Sequence, residues 1–344
     1  MGGRHCAPIF FRALSVLTPL AMEPSIRARL VHAYIRWQFR NRSLLEMDPV
    51  DLRALVERLS LPPMAQKSLI RPVKRPDTSL PAGTPKNFAH LHAPVDGEWH
   101  FPNRVSAEHT RIQKAILYFH GGGYVFGSPR THRAMTLGVA AEAQLPVFSL
   151  DYALAPEHPF PAALDDAFRA WTWLTQTLSI SPAAIAIGGD SAGAGLALAL
   201  MHKLRADDLA GPACVFLLSP YADLTMSAPS VGENASTDHM FTEDTIRRAP
   251  DFYCAPAQRR DPLVSPLFGR FDGFAPTLIF ASEDEMLRDD ATRLHKTLEG
   301  AGAPSTLILR SGMVHVWPVF HMVIPEGKKD LRRIAEFIRT HINP

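Results

Sequence analysis

Six short apolar runs, most of them separated from the next by a longer stretch of helical character, constrain the fold more than any other feature of this chain. The runs are Ala115–Phe119, Pro146–Leu150, Ala184–Gly188, Ala213–Leu218, Thr277–Ala281 and Thr306–Leu309. Each is too short for a helix and is apolar without alternation, which is what a strand buried on both faces requires. Helical segments are predicted at Thr131–Ala143, Ala162–Thr177, Ala192–Arg205 and Asp289–Gly300. Strand and helix in turn imply a mainly parallel sheet covered on both faces, and so an α/β fold. Upstream, Phe88–Pro94 and Glu98–Val105 flank Asp96-Gly97, a hairpin signal that predicts antiparallel edge strands.

The segments around this rhythm suggest a division. Residues 1–85 read as a tail, cap helices and a linker, and residues 86–344 as the catalytic domain with a cap insertion at about 222–262. Ile26, Leu30, Ile35 and Trp37 recur near helical spacing, and Asp48-Pro49 opens a second helix with Pro at its first position. Pro62–Pro85 reads as a connector with little regular structure. The insertion has helical character around Thr242–Tyr253 and is too long for a plain loop.

Composition excludes several partners. Lys and Arg number 36 against 34 Asp and Glu, a formal charge of +2, with no basic run to track nucleic acid. Cys6, Cys214 and Cys254 form no Cys/His ligand spacing, so no metal and no cofactor are expected. They cannot all pair as disulfides, which favours a reducing, cytoplasmic setting. No apolar stretch reaches membrane-spanning length. Residues Cys6–Met22 are mildly apolar but broken by Pro8, Arg12 and Pro19, and read as a fraying tail. A homodimer is compatible with all of this.

Gly189-Asp190-Ser191-Ala192-Gly193 follows one predicted strand and opens a predicted helix. The pattern alone arises by chance in about one chain in ten of this length. Its context is what matters: a tight strand-to-helix turn needs glycines beside the serine, and it presents the hydroxyl at the positive end of the helix. His120-Gly121-Gly122-Gly123 closes another strand. Its unhindered backbone N–H groups suit a tetrahedral oxyanion, with Ala192 as a further donor. No phosphate-cradling glycine pattern is present. His120 precedes the glycines at the strand end and reads as a loop-supporting residue.

A serine nucleophile needs a base, and the base an orienting carboxylate, in the chain order serine, acid, histidine. Glu283-Asp284-Glu285 follows the run Thr277–Ala281, and Asp284 is the best placed of the three. Asp289 and Asp290 fall at a helix start, where acids occur for dipole reasons. His315 follows the last apolar run; His321 is its rival, while His295 reads as the solvent side of a helix.

These residues, with Asp151-Tyr152-Ala153-Leu154-Ala155-Pro156-Glu157-His158-Pro159-Phe160-Pro161-Ala162-Ala163, Ser219-Pro220-Tyr221-Ala222-Asp223-Leu224 and Val314-His315-Val316-Trp317, give a chain that resembles the hormone-sensitive-lipase-like family of bacterial esterases. The resemblance runs in order over about residues 115–320. It implies an α/β-hydrolase core of eight strands, a helical cap, and carboxylesterase action on small acyl esters of short or medium chain. It implies a triad of Ser191, Asp284 and His315, oxyanion donors Gly122, Gly123 and Ala192, and support from His120, Gly121, Asp190 and Glu157. An amidase, deacetylase or acyltransferase on the same triad, and a non-catalytic ligand-binding protein on the same fold, are the alternatives. The chain departs from the family pattern at Ala194, where a further glycine is usual, and at Asp284-Glu285-Met286-Leu287, where Asp-Pro-Leu is common.

Overall fold

The computed structural model describes residues 23–42, 47–59, 69–74, 95–104 and 112–342. Its strands are β1 (Ile70–Val73), β2 (Gly97–His100), β3 (Ala115–Phe119), β4 (Val147–Leu150), β5 (Ile185–Asp190), β6 (Cys214–Leu218), β7 (Thr277–Ser282) and β8 (Ser305–Arg310). They form one sheet in the order β1-β2-β4-β3-β5-β6-β7-β8. β1, β2 and β4 pair antiparallel, and every other neighbouring pair is parallel. This is the α/β-hydrolase fold.

The long helices are α1 (Ile26–Gln38), α2 (Pro49–Leu59), α3 (Arg133–Ala143), α4 (Ala162–Thr172), α5 (Ala192–Ala206), α6 (Glu243–Tyr253), α7 (Arg288–Gly300) and α8 (Pro325–His341). Alternate side chains of each central strand enter two separate cores. Leu117, Ile187, Leu217 and Ile279 pack under α4, α5 and α7 on one face. Ile116, Ala186, Phe216 and Phe280 pack under α1, α3 and α8 on the other. Burial on both sides accounts for apolar runs without alternation.

Two expectations need correction. The proline-rich connector contains β1, whose Ile70–Val73 pairs with Gly97–His100. Gly97 lies in β2, not in a hairpin turn; a Cβ there would collide with the Phe148 ring and the Ser149 carbonyl of β4. Its glycine is a response to close strand crossing. Phe88–Pro94 and Cys6–Met22 lie outside the described residues. The segment between β6 and β7 carries a one-turn helix, Ser230–Glu233, and α6.

Candidate active site

β5 delivers Ser191 and α5 begins at Ala192. Ser191 sits at φ 53°, ψ −120°, a conformation that costs a non-glycine residue of order 1–3 kcal/mol. The surroundings hold it there. Its N–H donates to the Leu218 carbonyl at 2.8 Å, and its carbonyl accepts from the N–H groups of Ala194, Gly195 and Tyr221 at 3.1 Å each. The flanking glycines are obligatory: a Cβ on Gly189 would meet the Gly193 backbone, and one on Gly193 the Phe119 and His120 carbonyls. Ala194 is buried without such a conflict, whereas Gly195 lies tight against the Tyr221 carbonyl. The departure at Ala194 is therefore accommodated.

The loop after β3 lies beside this turn. Gly122 and Gly123 have φ of 122° and 61°. Their N–H groups donate to no acceptor among the described residues, and Ala192, first in its helix, has no intrahelical partner for its own. His120 does not act as a base: its Nδ1–H donates to the Gly121 carbonyl at 2.9 Å, and the ring stacks on Tyr152 at 4.2 Å. Burial pushes its pKa down to about 3.

Asp190 fastens the loop to the elbow. Its Oδ1 accepts from the Gly121 N–H at 3.0 Å and the Tyr118 hydroxyl at 2.7 Å. Its Oδ2 lies 3.3 Å from His132 Nε2. The Thr131 hydroxyl lies 2.9 Å from the Ser128 carbonyl and 2.8 Å from His132 Nδ1, within hydrogen-bond reach of both. His132 Nδ1 also lies 3.4 Å from the Ser128 carbonyl, so the ring is bonded on both sides. Burial alone would depress its pKa, but the Asp190 carboxylate outweighs burial and raises it. No sequence signal marked His132. On the far side, Glu157 holds Arg53 of α2 at 2.7 and 2.8 Å, and Arg53 donates to the Val125 and Ala155 carbonyls, tying the cap to the glycine loop.

The acid facing His315 is Glu285, not Asp284. His315 Nδ1 lies 2.5 Å from Glu285 Oε2, with both side chains buried. Glu285 Oε1 accepts the Ser282 N–H at 2.8 Å, so the carboxylate folds back over the end of β7. Asp284 turns the other way: its Oδ2 accepts the Gly312 N–H at 2.5 Å and braces the loop that carries His315. Burial would lower the His315 pKa, but the Glu285 carboxylate overrides it, and the net shift is upward. His315 Nε2 has no hydrogen-bond partner among the described residues.

The rival histidines lie elsewhere. His321 packs against Gly138 of α3. His295 is buried rather than solvent-facing, bonded to Ser305 Oγ at 2.9 Å. Asp290 accepts the N–H groups of Ala222 and Asp223, and burial with the nearby Asp223 pushes it up to about 8.

Ser191, His315, Gly122 and Gly123 all line one cavity of about 410 Å³. Its remaining wall is mostly apolar, with α1, Val56 of α2, Phe126, Met240 and Phe241 of the insertion, α6 and the segment Val316–Val323 contributing, and Thr131, His132 and Asp190 adding polar groups. The Phe241 ring packs edge-on against His315 at 5.1 Å.

Several known proteins resemble this chain in sequence and in fold. A family model described as the α/β-hydrolase fold matches residues 116–319. An acetyl-hydrolase of Streptomyces hygroscopicus is 35% identical over 261 residues, 76% of this chain and 84% of that protein. An ethyl acetate hydrolase of Pseudomonas putida is 34% identical over 234 residues, covering 66% of this chain and 73% of that one. Among solved structures, an esterase from the bacterial hormone-sensitive lipase family superposes with a TM-score of 0.79 at 33% identity, covering 94% of this chain and 100% of that one. The esterase EstE5, soaked with p-nitrophenyl butyrate, gives 0.79 at 32% identity over 92% and 99%.

Proposed function

Since the chain belongs to the α/β-hydrolase family, among the bacterial esterases of hormone-sensitive-lipase type, we propose that this carboxylic ester hydrolase acts on short- to medium-chain acyl esters through a triad of Ser191, His315 and Glu285. The observation that carries the triad is the buried contact of His315 Nδ1 with Glu285 at 2.5 Å, on a histidine that shares a cavity with Ser191. Glu285 holds the proton on Nδ1 and leaves Nε2 as the base. His315 takes the Ser191 proton as Oγ attacks the ester carbonyl. The N–H groups of Gly122, Gly123 and Ala192 stabilise the oxyanion, each worth about 3 kcal/mol where such donors have been removed. His315 then protonates the leaving alkoxide, and a water activated by the same ring cleaves the acyl-enzyme.

The cavity supports the substrate range. Its volume of about 410 Å³ suits a small ligand, and its mostly apolar wall suits an acyl chain. Hydrolysis of p-nitrophenyl esters from acetate to dodecanoate tests both parts. Turnover is expected to peak between butyrate and octanoate, and Ser191→Ala is expected to abolish it. Activity of Ser191→Ala near that of the parent would remove the triad; a maximum at dodecanoate would remove the chain-length assignment.

A further inference from the structure

Arg40 follows α1 in a short turn of 3-10 helix, Arg40–Arg42, and belongs to none of the sequence motifs. Its guanidinium reaches the insertion. Nη1 donates to the carbonyls of Asp238 at 2.5 Å and Phe241 at 2.7 Å, and Nη2 donates to that of Ala235 at 2.7 Å. None of these carbonyls meets another donor among the described residues. Three convergent backbone acceptors suit the planar fork of an arginine, and suit the point charge of an ammonium poorly. A guanidinium directed at three carbonyls of one short segment fastens that segment.

The fastened segment touches His315. Phe241 packs edge-on against that ring at 5.1 Å. Its backbone is held on both sides, the N–H by Asp238 Oδ1 at 3.0 Å and the carbonyl by Arg40. Asp238 is buried, and its other oxygen accepts the N–H of Met286, next to Glu285. The arginine has firm footing, since Ala28, Val31 and Ile35 of α1 are buried in the same core as Tyr118 and Phe280. Beside it, His32 of α1 packs on His239 of the insertion with ring centroids 4.7 Å apart. Burial presses both histidines down, His32 to about 4, so at neutral pH neither adds a positive charge near the guanidinium. A base that must meet the serine proton tolerates little displacement, and an error of about 1 Å costs about 100-fold in rate.

We propose that Arg40 is a positioning residue: it holds Phe241 against His315 and so fixes the plane of that ring. The benefit to catalysis rests on the reading of His315 as the base. Hydrolysis of p-nitrophenyl butyrate is measured for the full chain, Arg40→Ala, Phe241→Ala and the double variant. Each kcat is referred to sites titrated with diethyl p-nitrophenyl phosphate, so that unfolded protein is not counted. Arg40→Ala is expected to lower kcat about 10- to 100-fold with KM within about threefold. Guanidinium chloride at about 50 mM should restore about a third of parental kcat, and sodium chloride at the same concentration should not. In the Phe241→Ala background the same substitution should cost less than about threefold, because the contact it serves is gone. Arg40→Lys keeps the charge without the fork; its kcat should fall between parent and Arg40→Ala, and it carries the test should Arg40→Ala not fold. Arg29→Ala, which breaks an exposed pair with Glu23 on the same helix, should stay within about twofold of the parent. Deuterium exchange at Met240, Phe241 and Met286 needs no ester, and should quicken in Arg40→Ala but not in Arg29→Ala. Unchanged exchange at those residues, no rescue by guanidinium, or additive losses in the double variant would each overturn the role of Arg40. Ester turnover that survives His315→Gln, with exchange quickened as expected, would uphold the fastening and count instead against His315 as the base.

Discussion

Replacing Glu285 by Gln changes one atom and should cost nearly all activity. The Ser282 N–H, 2.8 Å from Oε1, requires an acceptor there. The amide oxygen of the introduced glutamine takes that place, which leaves its NH2 facing His315 Nδ1, where Oε2 now lies at 2.5 Å. Two donors cannot share that contact, so the ring moves its proton to Nε2 and can no longer accept one from Ser191. Loss of the orienting carboxylate in a serine triad lowers kcat about 10⁴-fold, or about 5 kcal/mol of barrier. Asp284→Asn is the internal control. The Gly312 N–H bonded to Asp284 Oδ2 finds an acceptor equally in Asn, so kcat should fall less than tenfold. Steady-state hydrolysis of p-nitrophenyl butyrate, with circular dichroism to verify folding, compares the two. Retention of a tenth or more of parental kcat in Glu285→Gln, or an equal collapse in Asp284→Asn, would refute the assignment of Glu285.

Two further outcomes follow from the charges around the elbow. Because Glu285 raises the His315 pKa and the base must be neutral, kcat/KM should fall as pH drops through a value above the ordinary histidine 6.5, and a pH–rate profile with this limb below 6.5 would contradict it. His132→Gln removes the ring that faces Asp190 and loosens the loop bearing Gly122 and Gly123; kcat should fall about tenfold with KM nearly unchanged, and a rise in KM alone would argue against a role in positioning the loop.

The strand rhythm was legible because burial on both faces writes itself as unbroken apolar runs, and the elbow because only glycine tolerates the backbone contacts at Gly189 and Gly193. The acid was not. Glu283, Asp284 and Glu285 are consecutive, and which carboxylate turns inward depends on the Ser282 N–H and Gly312 N–H waiting on opposite sides, partners that no spacing reveals. β1 was hidden for a related reason. Ile70-Arg71-Pro72-Val73 is an edge strand exposed at its centre, so it carries little apolar signal and tolerates a proline. His132 was silent because its function lies in a buried pairing with a residue 58 positions away in the chain.

The insertion does more than roof the cavity. Asp238, buried, accepts the N–H groups of Met240 and Phe241 with one oxygen and that of Met286 with the other. Asn234 donates to the carbonyls of Glu283 and Glu285, and Thr237 to that of Asp284. The loop that presents Glu285 is thus bonded, residue by residue, to the segment whose Met240 and Phe241 line the cavity. Phe241 in turn packs on His315. A displacement of the insertion large enough to widen the cavity must therefore pull on Glu285 as well, so cavity shape and the orientation of His315 are coupled through Asp238. Substrates that crowd Phe241 should lose kcat and not only affinity.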